Sequence, residues 1–288
     1  MPILIGVSEK VYVWNYDNSE IHHLVSFKDN EYEVTALDFS PNGEQFATGD
    51  LDFKITIREI NLDRDDFVQQ KPVKIIVMED SICGLMWDPL SKYFLALLLN
   101  NQLIVFKCQN WDIFKKVSLN LSPKYSSLSC KRQRRSLTWS PDYSYLIVPS
   151  LDDSVVPLAC AIDRQNFEIK QCFFGHFSTI NYVAFNPNIY LIDGKIASIF
   201  AMGDAVGNIS IWALMKSGGS KKPIKLLKAP EIEMSVESIE WSSDGEILLA
   251  SVRQGFIIVC SFGKDGFGKR LTKSERDAYS RSNFGMTA

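Results

Sequence analysis

Apolar and polar residues alternate along this chain in short runs, and one string of them returns five times. An apolar strand runs into an aromatic, then a small or acidic residue, then a turn former. The copies are Leu37-Asp38-Phe39-Ser40-Pro41-Asn42-Gly43, Leu85-Met86-Trp87-Asp88-Pro89, Leu137-Thr138-Trp139-Ser140-Pro141-Asp142, Val183-Ala184-Phe185-Asn186-Pro187 and Ile239-Glu240-Trp241-Ser242-Ser243-Asp244-Gly245. They recur roughly every 50 residues, the period of stacked supersecondary units such as propeller blades. Proline lacks the ladder donor, and Asn-Gly or Asp-Gly favours a tight turn, so the strand is expected to end at each string.

A second apolar strand follows each string at once. After a polar turn most copies show a third strand with β-branched residues at alternate positions, as in Ile55-Thr56-Ile57 and Ile209-Ser210-Ile211-Trp212. Alternation with β-branching marks strands, and no helical period is sustained in this part. A meander with two apolar faces cannot bury both alone, whereas blades packed face to face can. The fold expected is therefore all-β, a propeller of about five to six blades over residues 1–262. The chain opens with strands at 3–7, 11–14 and 21–27, a blade without its innermost strand, and four blades follow at 33–80, 81–120, 133–174 and 178–228. The last blade, 235–262, shows three strands, and 263–288 reads as a polar tail outside the core with one or two helical turns at 273–279. Incomplete first and last blades predict exposed edges, and aggregation unless a partner or a second copy completes the propeller.

The chain has 288 residues, 46% of them hydrophobic and 12% aromatic, enough for a large core within one domain. A net charge of −3 and a pI near 5.7 give no global attraction to nucleic acid, so sequence-specific nucleic-acid binding is not expected. The six cysteines include no CxxC pair and read as reduced, mostly buried thiols. No apolar run of about 18 residues occurs and the N-terminal apolar stretch is too short for a secretory leader, so neither secretion nor a membrane span is expected.

Candidate chemistry is sparse. His22 and His23 alternate across a strand and point to opposite faces, so they cannot chelate together. Carboxylates cluster at Asp63, Asp65 and Asp66 and at Asp152 and Asp153, in turns without a partner acid at a defined distance. No nucleophile elbow, zinc-protease, P-loop or calcium-loop motif occurs, so no catalytic residue, metal or cofactor is expected. The one concentrated charge is Lys131, Arg132, Arg134 and Arg135, which reads as an exposed inter-blade loop, an import or acidic-partner contact, or a phosphate clamp. Flexible or charged loops are expected at 61–71, 120–135 and 216–223.

The strings resemble the WD repeats, whose blades carry a Gly-His dipeptide, an Asp before the third strand and a Trp-Asp closing it. Gly175-His176 precedes the strand of Phe185, Trp212 closes the third strand of the same blade, and Trp14 closes the first strand group. His176 then implies a structural hydrogen bond between loop and blade. Counting back six residues from each closing position gives Asp52 and Asn100, but Ser8, Val206 and Gln254 elsewhere, which implies a polar tetrad degraded in most blades.

Within that class the chain resembles the histone regulator HIRA and its fungal Hir relatives. The likeness is carried by Leu85 to Tyr93, Asn110-Trp111-Asp112, Arg135 to Asp142, Phe174 to Pro187, Ser235 to Trp241 and the tail Leu271 to Gly285. The middle subunit of chromatin assembly factor looks similar in fold and is the near alternative; a generic WD-repeat adaptor is the other. The resemblance implies a propeller that is seven-bladed in the family. It also implies a nuclear, non-catalytic subunit of a histone chaperone complex for replication-independent nucleosome assembly and transcription regulation. Histones and other complex subunits, including a ubinuclein-like one, are the implied partners. The family's C-terminal region, with its segment for the anti-silencing chaperone, has no counterpart in the sequence, so that partner is not expected to bind this chain.

Overall fold

The computed structural model describes residues 3–8, 10–17, 20–28, 32–60, 71–119, 134–150, 158–216, 222–228 and 234–284. Among them lie six antiparallel sheets, one short 3-10 turn at Arg253–Gly255 and one α-helix. The first sheet is β1 (Ile3–Val7), β2 (Val11–Asp17) and β3 (Glu20–Phe27); the second is β4 (Val34–Phe39), β5 (Gln45–Asp50), β6 (Lys54–Glu59) and β7 (Lys74–Val77). The third is β8 (Ile82–Trp87), β9 (Tyr93–Leu98), β10 (Gln102–Lys107) and β11 (Ile113–Ser118); the fourth is β12 (Thr138–Trp139), β13 (Tyr145–Pro149), β14 (Leu158–Asp163) and β15 (Ile169–Phe174). The fifth runs β16 (Ile180–Ile192), β17 (Lys195–Asp204), β18 (Asn208–Met215) and β19 (Lys225–Lys228), and the sixth β20 (Val236–Trp241), β21 (Ile247–Val252) and β22 (Phe256–Ser261). β23 (Lys269–Arg270) returns to the free side of β16, and α1 (Lys273–Phe284) follows. Each sheet is a meander of the propeller-blade type. The chain forms two compact units, one holding the first three sheets with Arg134 and Arg135, the other the last three with α1.

The recurrent string makes the same turn in successive sheets. Ser40 Oγ accepts the Gln45 N–H at 2.9 Å, Ser140 Oγ accepts that of Tyr145 at 2.9 Å, and Ser242 Oγ accepts that of Ile247 at 3.0 Å. Each serine hydroxyl also meets the side chain two residues on, at Asn42, Asp142 and Asp244. In the third sheet Asp88 does this work, accepting the Lys92 N–H at 3.1 Å. The turn closes through a left-handed residue, Gly43 at φ 72°, Ser91 at 55°, Tyr143 at 59° and Gly245 at 72°.

Within the first unit, Val11, Val13 and Phe27 pack on Val34 and Phe46, and Ala47, Ile55 and Ile57 pack on Ile82, Leu85, Trp87 and Phe94. Within the second, Ile147, Ala159 and Phe173 pack on Val183, Phe200 and Trp212, and Ile199, Ile209 and Ile211 pack on Val236, Ile239 and Leu248. The sheets approach closely at a repeated glycine. A Cβ on Gly49 would lie 2.5 Å from Ile82 Cγ2, and one on Gly203 would lie 2.6 Å from Val236 Cγ1. Polar links also join successive sheets: Asp38 Oδ2 accepts the Trp87 N–H at 2.5 Å between the second and third, and Thr138 Oγ1 accepts that of Phe185 at 3.1 Å between the fourth and fifth.

Two expectations are corrected. The strand of the fourth string does not stop at Pro187. β16 continues to Ile192, with its register against β17 shifting between Phe185 and Ile189, and the hairpin turns at Asp193 and Gly194 instead. An irregularity there removes the demand for a ladder donor at the proline. The segment after Phe262 is also not wholly outside the core. β23 pairs with Tyr190 and Leu191, and Phe267 is buried against Tyr190, Trp241 and Phe262. α1 is longer than the one or two turns expected, spanning 12 residues. It starts at a capping box, in which Glu275 Oε2 accepts the Thr272 N–H at 2.7 Å and Thr272 Oγ1 accepts the Glu275 N–H at 3.3 Å.

Candidate functional site

The most connected polar group lies in the fifth sheet. The loop after β15 carries His176, the last residue of β17 is Asp204, and β18 carries Ser210 and Trp212 two residues apart on one face. His176 Nδ1 lies 2.9 Å from Asp204 Oδ2, His176 Nε2 lies 2.6 Å from Ser210 Oγ, and Trp212 Nε1 donates to Ser210 Oγ at 2.8 Å. Each group finds a partner when the imidazole is neutral: Trp212 N–H to Ser210, Ser210 O–H to Nε2, and Nδ1–H to Asp204. Asp204 Oδ1 also accepts the backbone N–H of Val206 and Asn208 at 3.0 and 2.8 Å. Burial pushes the Asp204 carboxyl up, but hydrogen bonds from His176 and Asn208 outweigh it and leave it below the usual carboxylate range.

Ser210, His176 and Asp204 have the connectivity of a hydrolase triad. Their setting is different: they are 1%, 4% and 0% exposed, and the serine hydroxyl is already held by the Trp212 indole. A nucleophile must reach a substrate carbon, and this one is sealed in a blade. The network ties the loop before β16 to the turn between β17 and β18. Among the described residues no three His, Cys, Asp or Glu are placed to hold a metal ion, and no helix is long and apolar enough to cross a membrane.

Strand register aligns this network with the other sheets. Trp212 faces Phe200, and the pairs in the same place are Phe46 with Arg58, Phe94 with Phe106, Leu146 with Ile162 and Leu248 with Cys260. Four residues after the first member of each pair stand Asp50, Leu98, Ser150, Asp204 and Val252. The count of six from the closing position therefore lands two residues late, on Asp52, Asn100 and Val206. Asp52 pairs with Lys54, and Asn100 Oδ1 accepts the Gln102 N–H at 3.2 Å, both as turn side chains. Asp50 is the buried counterpart of Asp204: its Oδ1 accepts the N–H groups of Asp52 and Lys54 at 2.9 Å each, and its Oδ2 has no hydrogen-bond partner. In place of tryptophan the second sheet has Arg58, buried with its guanidinium 4.1 Å from the Phe27 ring centroid.

The basic run does not form one open patch. Arg135 is 5% exposed and its backbone N–H donates to Cys83 O at 2.8 Å. Arg134 is exposed, yet its Nη2 donates to Val7 O and Val34 O at 3.2 and 3.3 Å, bracing the first two sheets. Lys131 and Arg132 lie outside the described residues, as do Asp63, Asp65, Asp66, Asp152 and Asp153. His22 and His23 stand in register with Asn15 and Trp14 on opposite faces, His22 beside Glu20 and His23 edge-on to Tyr12 and Trp14.

Sequence reasoning gave no weight to the exposed apolar surface. Phe177, next to the buried His176, is 98% exposed. In the sixth sheet Ile247, Leu249, Ile257 and Val259 share one face by register and are all exposed. β22 ends that sheet, and β1 ends the first, without a further strand among the described residues. Alternation in β21 and β22 was the available signal, because it predicts which face is apolar without saying whether that face is covered.

Sheets of this type, a recurrent Asp or Ser turn and a buried His-Asp-Ser-Trp network define a WD-repeat β-propeller. The family described as WD domain, G-beta repeat matches residues 21–58, which run from β3 through β6 and so join the outer strand of one blade to the next blade. Among known proteins the chain is similar to proteins named HIR1 and HIRA. The chain is 23% identical to protein HIR1 of Cryptococcus neoformans over 88% of its length, and 27% identical to protein hir1 of Schizosaccharomyces pombe over 70%. It is 28% identical to protein HIRA of Caenorhabditis elegans over 85%. It spans 28%, 21% and 25% of these relatives' own lengths. The WD-repeat fold and these kinships point to a scaffold-type protein rather than an enzyme.

Proposed function

We propose that this chain is a non-catalytic scaffold of a nuclear histone chaperone assembly that deposits nucleosomes outside replication and influences transcription. Its partners are histones and other subunits of that assembly, including a ubinuclein-like one. The observation that carries the reading is the likeness to HIR1 and HIRA proteins across most of the chain. The sealed Ser-His-Asp group supports the non-catalytic part, since its bonds hold a blade together.

The test is affinity capture of the tagged full chain from cross-linked nuclear extract. Recovery of histones together with chaperone subunits is expected. Recovery of neither, with an exclusively cytoplasmic signal on imaging, overturns the reading.

A further inference from the structure

Cys160 on β14 and Cys172 on β15 are directly opposite in register, and their sulfur atoms lie 3.1 Å apart with both thiols free. Directly opposed residues of an antiparallel pair have Cα atoms about 4.5–5.5 Å apart, inside the range that a disulfide spans. Closing the contact to a bond asks the sulfurs to approach by about 1 Å, a shift that side-chain torsions supply.

The two thiols differ in access. Cys160 is fully buried, with Val148 opposite it on its other side, while Cys172 is half-buried on the strand that ends the sheet. They differ in acidity as well. The hydrogen bond with Cys160 holds the Cys172 thiol below the ordinary thiol range against the opposing effect of burial, and the same contact together with burial pushes Cys160 well above it. The less buried sulfur is therefore the one with the larger thiolate fraction, the combination that favours reaction at Cys172 over Cys160.

We propose that Cys160 and Cys172 form a peroxide-oxidisable dithiol, in which Cys172 is the attacking sulfur and Cys160 the resolving one. The Cys172 thiolate attacks one oxygen of hydrogen peroxide, the O–O bond breaks, and the released hydroxide takes a proton to become water. Cys172 is then a sulfenic acid. Cys160 sulfur attacks the Cys172 sulfur, the S–O bond breaks, and the hydroxide that leaves takes the Cys160 proton as a second water. Two thiols lose two electrons and two protons, and one peroxide becomes two waters. The product staples β15 to β14, so the end strand of the fourth sheet no longer frays independently.

The test uses the reduced full chain, exposed to graded hydrogen peroxide while folded, quenched with N-ethylmaleimide in denaturant and digested with trypsin. Cleavage after Arg135, Arg164, Lys170 and Lys195 leaves the two cysteines on separate peptides, 136–164 and 171–195. Expected are a linked 136–164/171–195 pair lighter by two hydrogens, its loss on reduction, and slower amide exchange across β15 in the oxidised protein. Cys172→Ser abolishes the link, and Cys160→Ser leaves a Cys172 sulfenic acid that dimedone traps. Two results overturn the proposal: both cysteines remain alkylatable at peroxide levels that link them in the urea-unfolded chain, or Cys172 passes to sulfinic acid in the wild type without any linked peptide.

Discussion

His176 Nδ1 lies 2.9 Å from Asp204 Oδ2 across 28 positions of sequence, whereas the equivalent carboxylate of the second sheet, Asp50, leaves Oδ2 without a hydrogen-bond partner. One repeat position thus holds two different energetic situations. Asp204→Asn turns an amide toward the imidazole N–H and is expected to cost about 2–3 kcal/mol, because a buried charge-assisted bond is lost and a donor is stranded. Asp50→Asn keeps the Oδ1 acceptor of its turn and removes a carboxylate whose pKa burial already raises, so a change within about 1 kcal/mol is expected. Denaturant unfolding of the two variants decides, and equal losses would refute the contrast.

The repeated glycines give a steric prediction. Gly203→Ala and Gly49→Ala drive a methyl against Val236 and Ile82, and each is expected to cost about 1–3 kcal/mol by overpacking. Gly43→Ala meets no atom within 4 Å but must hold φ at 72°, so its cost reports backbone strain alone. Thermal melts of the three variants separate the two mechanisms.

Burial pushes the Asp38 carboxyl up to about 6 despite the Trp87 N–H that it accepts. A carboxyl whose folded pKa exceeds its unfolded value binds more protons when folded, so its contribution to stability rises as pH falls from above 6 toward 4. Relative to Asp38→Asn, the wild type is expected to gain up to about 2 kcal/mol across that window. Unfolding free energies of both proteins at the two ends of the window test the sign.

Phe267 makes the residues beyond the last sheet part of the core. Phe267→Ala is expected to cost about 3–4 kcal/mol, as large aromatic truncations in a core do. A stability equal to wild type by chemical denaturation would return this segment to the role of an appended tail.

The apolar face of the sixth sheet is expected to drive self-association of the isolated chain. Ile257 and Val259 are 67% and 64% exposed, so Ile257→Lys with Val259→Lys should leave unfolding stability nearly unchanged while light scattering at equal concentration falls. A monodisperse wild-type chain would count against the expectation.

Strand positions were legible because each rests on short-range rules. Alternation marks the strands, and the Ser-Pro-Asn-Gly and Ser-Ser-Asp-Gly strings carry their turn chemistry within five residues, as Ser40 and Ser242 show. His176 and Trp212 were legible as network members for the same reason, each standing in a recognisable dipeptide or strand end. Asp204 was missed by two residues because the count came from an average spacing, and only the pairing of Phe200 with Trp212 fixes the register.

The sequence by itself determined the repeat and the strands and turns within its copies, since these follow from local pattern. Tertiary structure decided what sequence separation hides. It buried Arg135 in a run that reads as an open basic patch, carried β16 past Pro187, brought Phe267 back onto Tyr190 and set Cys160 against Cys172. Each of these depends on which surfaces meet, and burial is a property of the pair of surfaces rather than of either strand alone.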